Sequence, residues 1–339
     1  MKLPRSALTI IGLALIGCVL VVRARSSIEF GNGPLPPYAP PTSDGTSPSD
    51  GPSPSYSQSP SYGSAQVTDA PLPSETAVIC VVAKDEESYI DEFVDYHHAL
   101  GFSKIFVYDN SDAFEMKQWA TAKGDFIKAV HMPGKEQQMI SYTMCAQEAY
   151  EQGYTWAAFF DLDEILILKN HENVVAFLLD HCEAGAVGIN WFMFGTSAKE
   201  VYSPQPMTKR FVYRENGTNQ HIKSIAKLSD MYRDVTNPHF VLLNDENVTT
   251  IDTSGNPIDG PFNENGPVDV AVLHHYFTKS SKEFIKKLMR GRADIKQGYE
   301  EYLVQQAHEG MVFAGDVFDE TAWIKMKQYV PKYAVFDSF

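Results

Sequence analysis

From residue 76 onward the chain repeats one local theme that leaves few folds open to it. Short apolar runs rich in β-branched and aromatic residues recur: TAVICVVAK from Thr76, KIFVYDN from Lys104, FIKAVHM from Phe126 and WAAFF from Trp156. Between the first two, Asp85 to Leu100 sets Ile90, Phe93, Val94 and His97 at helical spacing, with acids in the first turn, where a helix dipole favours them. A second helical stretch, from about Gln137 to Gln152, precedes WAAFF. Continuous apolar runs suit strands buried on both faces. Strands alternating with helices predict a mostly parallel α/β sheet flanked by helices. Ligands of such sheets bind beyond the carboxyl ends of the strands. Lys84, Asp109, Asn110, Asp161 and Asp163 all fall at those ends.

The fourth run is interrupted in an unusual way. WAAFFDLDEILIL breaks into Asp161, Asp163 and Glu164, then resumes as apolar sequence. A buried carboxylate is costly unless it is paired, hydrogen-bonded or metal-bound. Asp161 and Asp163 are two apart, so in extended backbone they project from one side. Together they would repel unless a cation sat between them, and Mg²⁺ or Mn²⁺ prefers such oxygen ligands. A metal there could also clamp a diphosphate and neutralise its charge as it leaves. Solvated acids capping the next turn are the plainer alternative.

The N-terminal quarter reads differently. Lys2 and Arg5 precede a 16-residue apolar run, Ala7 to Val22, which Arg23 and Arg25 follow. Residues 1–25 read as a signal anchor crossing a membrane; a cleaved signal peptide ending near Val22-Arg23-Ala24 is the competing reading. Basic residues on both flanks leave the positive-inside count indecisive. Residues 26–75 carry no lysine or arginine and hold 11 of the chain's 20 prolines. Such Pro/Ser-rich sequence cannot bury enough apolar surface to offset chain entropy, and it reads as a disordered stem. The remainder, 76–339, is then a single catalytic domain held off a membrane. Two N-glycosylation triplets, beginning at Asn216 and Asn247, favour a secretory lumen. A single-pass type II protein of the Golgi lumen is the expected location, with secretion as the alternative.

A net charge of −15 argues against affinity for nucleic acid, whose phosphates need basic surfaces. A local basic excess therefore stands out. Lys279, Lys282, Lys286, Lys287, Arg290 and Arg292 face a single acid, Glu283, between residues 279 and 292. That suits diphosphate binding by charge-assisted hydrogen bonds; a solvated helix face, with Ile285, Leu288 and Met289 as its apolar stripe, is the alternative. Cys80 and Cys145 lie in apolar patterns and read as plain buried thiols, while one disulfide among Cys80, Cys145 and Cys182 stays open. His97 and His98, on the first helix, read as structural histidines.

Several motifs in order resemble one family. VVAKDEESYIDEFVDYHHALGFSKIFVYDNSD, FFDLDEIL, INWFMFGTS, KRF, HIKSIAK and HHYFTKSSKEFIKKLMRGR look like glycosyltransferase family 92 and the related family-2-like transferases of GT-A fold, from about Ala77 to Arg292. The resemblance implies a GT-A-type, Rossmann-like α/β domain. It further implies a metal-dependent hexosyltransferase using a nucleotide sugar, expected to be a UDP-sugar, with galactosyl transfer one candidate and a glycan or glycoconjugate as acceptor. Matched residue by residue, Asp161 and Asp163 take the place of the D-x-D that holds Mn²⁺ (or Mg²⁺) and diphosphate. His275 takes that of a third metal ligand. Lys84, Asp85, Glu86, Asp109 and Asn110 border the nucleotide; Lys279 and Arg290 meet the diphosphate. Trp191 either stacks on a sugar or fills the core. Ala198 follows GTS where relatives often carry glycine, a departure that bears on the local turn.

An inverting reaction would need a base for the acceptor hydroxyl. Glu164, Glu200 and Asp269 are the candidates, none preferred, and strand alternation points Glu164 away from the acid pair. A haloacid-dehalogenase-like phosphohydrolase shares the D-x-D after a strand, but there a threonine follows near the start of the domain. A non-catalytic lumenal carbohydrate-binding protein is the remaining alternative.

Overall fold

In a computed structural model the described residues are 75–114, 116–290 and 313–338, all within one compact unit, Pro73–Phe339. The expected anchor and stem, 1–25 and 26–75, lie almost entirely outside them. Among the described residues no helix is long and apolar enough to cross a membrane.

The four apolar runs form β1 (Ala77–Ala83), β2 (Lys104–Asp109), β3 (Ile127–His131) and β4 (Trp156–Phe159). They pair in parallel in the order β3-β2-β1-β4. The connections include α1 (Glu87–Ala99), α2 (Lys117–Lys123) and α3 (Gln137–Glu151). Because β1 is buried on both faces, its alternate residues join two cores. Ala77, Ile79 and Val81 pack with Phe93 and Val94 of α1, while Val78 and Cys80 pack with Tyr142 and Cys145 of α3.

Here one reading of the sequence needs correction. Cys80 and Cys145 are not free thiols but a disulfide joining β1 to α3, with Cα atoms 5.9 Å apart and 65 residues between them in sequence. Apolar surroundings suit a thiol and a disulfide equally, so local pattern could not separate the two. Cys182 is free.

Beyond β4 the sheet becomes mixed. The chain adds β5 (Glu164–Leu168), α4 (Val174–Leu179), β6 (Ala186–Met193), α5 (Met207–Arg210), β7 (Tyr213–Arg214), β8 (Asn219–Lys227), β9 (Thr250–Ile251) and β10 (Ala271–His275). The order continues β4-β8-β6-β10-β5. β8 runs antiparallel to both β4 and β6, β10 runs parallel to β6, and β5 runs antiparallel to β10. The N-terminal ends of β5 and β8 therefore meet the C-terminal ends of β1, β4, β6 and β10 at one rim. His97 locks this frame from inside: its Nδ1 donates to Phe93 O at 2.9 Å and its Nε2 accepts from Leu166 N at 3.2 Å.

Chain-terminal elements close the fold. α6 (Ser281–Arg290) follows β10; β11 (Val317–Phe318) pairs with β7, and α7 (Thr321–Tyr329) leads into a 3-10 helix, Pro331–Ser338. The stripe expected on α6 is not its buried face: Phe284 is buried, whereas Ile285 and Met289 are exposed.

Candidate active site

β4 ends at Phe159, and the chain turns through Asp161, Leu162 and Asp163 before β5 begins. The acids thus sit in a tight connection between adjacent elements, and they are satisfied by charge from elsewhere. Lys223 of β8, wholly buried, lies 2.9 Å from Asp161 Oδ2. Lys287 and Lys279 lie 2.6 and 3.3 Å from Asp163 Oδ2. His275, the last residue of β10, puts Nε2 3.4 Å from Asp163 Oδ1. His274 faces Phe192 and Phe194 instead.

Glu164 turns back rather than away. Its Oε2 accepts the Asp161 backbone N–H at 2.8 Å and lies 3.8 Å from Lys223. The tight turn at 160–163 replaces the extended backbone on which strand alternation depends. Burial opposes ionisation of all three acids. At Asp161 Lys223 outweighs it, and at Asp163 Lys287 and Lys279 do, so both carboxyls stay below their ordinary range. At Glu164 burial wins and pushes the carboxyl well above it.

The end of β1 closes the other side. Asp85 adopts φ +50 and is exposed, and Lys84 is half-buried. Glu86 does the pairing: Arg290 lies 2.9 Å and Lys279 3.7 Å from its Oε1. The Arg290 guanidinium also donates to Lys84 O, fastening the end of α6 to the end of β1. The cluster thus sets three carboxylates, Asp161, Asp163 and Glu86, against Lys223, Lys279, Lys287 and Arg290.

Other expected residues serve differently. Asp109 accepts from Ser111 N at 3.0 Å and Met116 N at 3.1 Å, and the Asn110 amide donates to Met132 O and Gly134 O. Both hold the loops at the β2 and β3 ends, so they shape the rim rather than present free polar atoms to it. Trp191 is 6% exposed, with His221 stacked on it at 5.1 Å and His275 at 4.4 Å. Two base candidates lie on the surface. Glu200 is an exposed surface residue 3.6 Å from Lys282. Asp269 is exposed just before β10, at the edge of the sheet opposite His275.

Sequence reading passed over Lys223 as a site residue, while Lys287 entered it only within the basic run 279–292 and Glu86 only beside Lys84 and Asp85 at the β1 end. Lys223 carried a signal: a lysine inside the apolar strand run HIKSIA breaks pattern just as the acids of WAAFFDLDEILIL do.

Asp161, Asp163 and His275 are donors of the kind a divalent ion takes. Among the described residues no group of three such side chains has closed into a metal cage, because each carboxylate rests on an ammonium group. The set fits a divalent ion in donor chemistry, with the lysines as the groups to be exchanged.

The sequence model of glycosyltransferase family 92 matches residues 76–298, about two thirds of the chain. The chain belongs to glycosyltransferase family 92. A glycosyltransferase family 92 protein of Arabidopsis thaliana is 23% identical over 163 residues, 44% of this chain and 28% of the relative's length. Among solved structures, S. aureus TarS 1–349 in complex with UDP-GlcNAc is similar over 77% of this chain and 73% of its own, at 12% identity and TM-score 0.38. HddC from Yersinia pseudotuberculosis is similar over 52% and 91%, at 7% identity and TM-score 0.33. The expected α/β class, a mostly parallel sheet flanked by helices, is the one found. Family membership also sets aside the phosphohydrolase reading.

Proposed function

We propose that this family 92 chain moves a hexose from a nucleotide sugar, a UDP-sugar by preference, onto a glycan or glycoconjugate acceptor. The observation that carries the reading is the convergence of Lys223, Lys279, Lys287 and Arg290 on Asp161, Asp163 and Glu86 at one rim of the sheet. Basic groups at ion-pair distance from carboxylates are positioned without being spent. An entering diphosphate can take their hydrogen bonds while the rim stays balanced.

Asp161, Asp163 and His275 would hold Mn²⁺ or Mg²⁺. When bound, the ion supplies positive charge against the diphosphate. Lys279 and Lys287 would reach the phosphate oxygens, and Glu86 with Arg290 keeps the β1 end and α6 together. Lys223 holds the Asp161 turn in place from below.

A lumenal setting is part of the proposal. The Cys80–Cys145 disulfide suits an oxidising compartment, and Asn216 and Asn247 are both exposed. The expected single-pass Golgi location, anchored through residues 1–25, rests on these and on the apolar run.

The test is turnover by the purified full chain of UDP-glucose, UDP-galactose and UDP-N-acetylglucosamine, with Mn²⁺ and with chelator. Metal-dependent UDP release is expected. Folded protein that neither binds nor turns over any donor would favour the carbohydrate-binding alternative.

A further inference from the structure

At the rim, beside the diphosphate cluster, lies a group of aromatic rings that the donor chemistry does not use. β8 runs antiparallel to β6, with Asn219 opposite Trp191, so the start of β8 arrives at the ligand end of the sheet. His221 stacks on Trp191 with ring centroids 5.1 Å apart and planes 16° apart. On its other sides stand His239, at 5.3 Å, and the exposed ring of Phe262, at 4.9 Å. Trp191 separates His221 from His275, whose ring lies 4.4 Å from the indole.

The hydrogen bonds of His221 define its tautomer. Asn219 Oδ1 accepts both the backbone N–H of His221, at 3.0 Å, and its Nδ1–H, at 2.8 Å. An amide oxygen that accepts a backbone N–H is the oxygen end of the amide, so Nδ1 must carry the proton. The Nε2 lone pair then makes no hydrogen bond among the described residues, and half-buried His221 keeps a path to solvent. This is the arrangement of a general base whose far nitrogen is oriented by a fixed acceptor.

We propose that His221 is the general base of the transfer, receiving the proton of the acceptor hydroxyl on Nε2, with Phe262 flanking the acceptor sugar. The inference rests on the glycosyltransferase reading. The acceptor O–H bond breaks and its proton passes to Nε2. The acceptor oxygen forms the new bond to the donor's anomeric carbon. The bond from that carbon to the diphosphate oxygen breaks, and its electron pair leaves with the nucleoside diphosphate toward Lys279 and Lys287. The resulting imidazolium is held by Asn219 through Nδ1–H. A single displacement of this kind inverts the anomeric carbon.

His239 is the less suitable of the neighbouring histidines. Its Nδ1 donates to Ile222 O at 3.0 Å, but burial and then nearby Lys223 bring its pKa down to about 4, too weakly basic for the task. Burial and then His275 lower that of His221 as well, without the Lys223 charge that acts on His239. The sequence hinted at this group only through HIKSIAK, where His221 opens the strand.

The experiment compares wild-type full chain with His221→Ala and His221→Gln. Three readouts are taken: UDP affinity by calorimetry, UDP release from the three UDP-sugars with methyl β-galactoside, lactose and N-acetylglucosamine as acceptors, and product anomeric configuration by NMR. Expected are UDP affinity within twofold of wild type, turnover lower by roughly 10²–10⁴-fold in both variants, partial recovery of His221→Ala by added imidazole, and an inverted product. Turnover within fivefold of wild type in either folded variant would overturn the assignment, as would a retained anomer. Should one variant fail to fold, the other decides. Wild-type protein that neither binds UDP nor releases it would overturn the transferase reading itself, and the role of His221 with it.

Discussion

Lys223 places its ammonium 2.9 Å from the Asp161 carboxylate, and no part of the Lys223 side chain reaches solvent. Lys223 lies on β8 and Asp161 in the turn that follows β4, its neighbour in the sheet, 62 positions away in sequence. Burial alone would discharge the lysine, yet Asp161 and Glu164 hold its pKa above the ordinary value. The pair is therefore both a structural joint and one wall of the site.

Removing one member should expose the cost of the other. Lys223→Met leaves the Asp161 carboxylate, 35% exposed, with only the neutral donors Gln138 and Tyr142, and a loss of about 1–3 kcal/mol is expected. Urea unfolding at pH 7 measures it; a loss below 1 kcal/mol would show that Asp161 is satisfied without Lys223.

Lys287 tests the donor side separately. It is 23% exposed at its side chain, and Asp163 keeps Lys279 when it is gone. Lys287→Met should retain the melting temperature but raise the donor KM by roughly 10–100-fold, the loss of one hydrogen bond to a charged group. An unchanged KM would remove Lys287 from the diphosphate site.

The disulfide should carry measurable stability. Closing a 65-residue loop is worth about 4 kcal/mol by chain entropy. A Cys80→Ser/Cys145→Ser pair is expected to lose 2–5 kcal/mol in denaturant melts, with β1 and α3 still adjacent.

His97 predicts an acid transition. Burial brings its pKa from 6.5 down to about 3, so the folded state binds fewer protons than the unfolded chain between those values. The contribution is complete above pH 6.5 and lost as pH falls toward 3, reaching at most about 4–5 kcal/mol. His97→Gln should flatten the stability profile between pH 6.5 and 4, at the expense of its bond from Leu166. A slope equal to wild type would assign the acid transition to other groups, such as His274, which burial also brings to about 3.

Ala198 adopts φ +57, beside Ser197 at φ +49. The turn keeps left-handed backbone although this chain has alanine there. Ala198→Gly is expected to stabilise by roughly 0.5–1 kcal/mol, relief of the Cβ strain exceeding the added freedom of the unfolded chain. A thermal melt shows it; destabilisation would mean that the alanine methyl packs usefully.

Much of the architecture was legible before the structure. Runs such as AVICVVA and KIFVYD are buried on both faces, so their apolar continuity marked them as central strands, and their polar ends marked the rim. Two α-helices followed from 3.6-residue spacing within one or two residues at each end. The antiparallel half was not legible. Nothing local in β8 says that it inserts between β4 and β6, and that insertion is what delivers Lys223 and His221 to the rim. The same holds for the base candidates: Glu200 and Asp269 have suitable chemistry, but only the course of the chain shows both exposed, with Asp269 beyond the end of β10 opposite His275.

The sequence by itself determined the α/β succession, the rim position of Asp161 and Asp163, and the family motifs, because these depend on residues close together along the chain. Only the tertiary structure decided what answers those acids: Lys223, Lys279, Lys287 and His275, drawn from 60 to 126 residues away. Strand order and register are set by pairing between distant segments, and a charge buried at such a joint finds its partner through that pairing rather than through its neighbours in sequence.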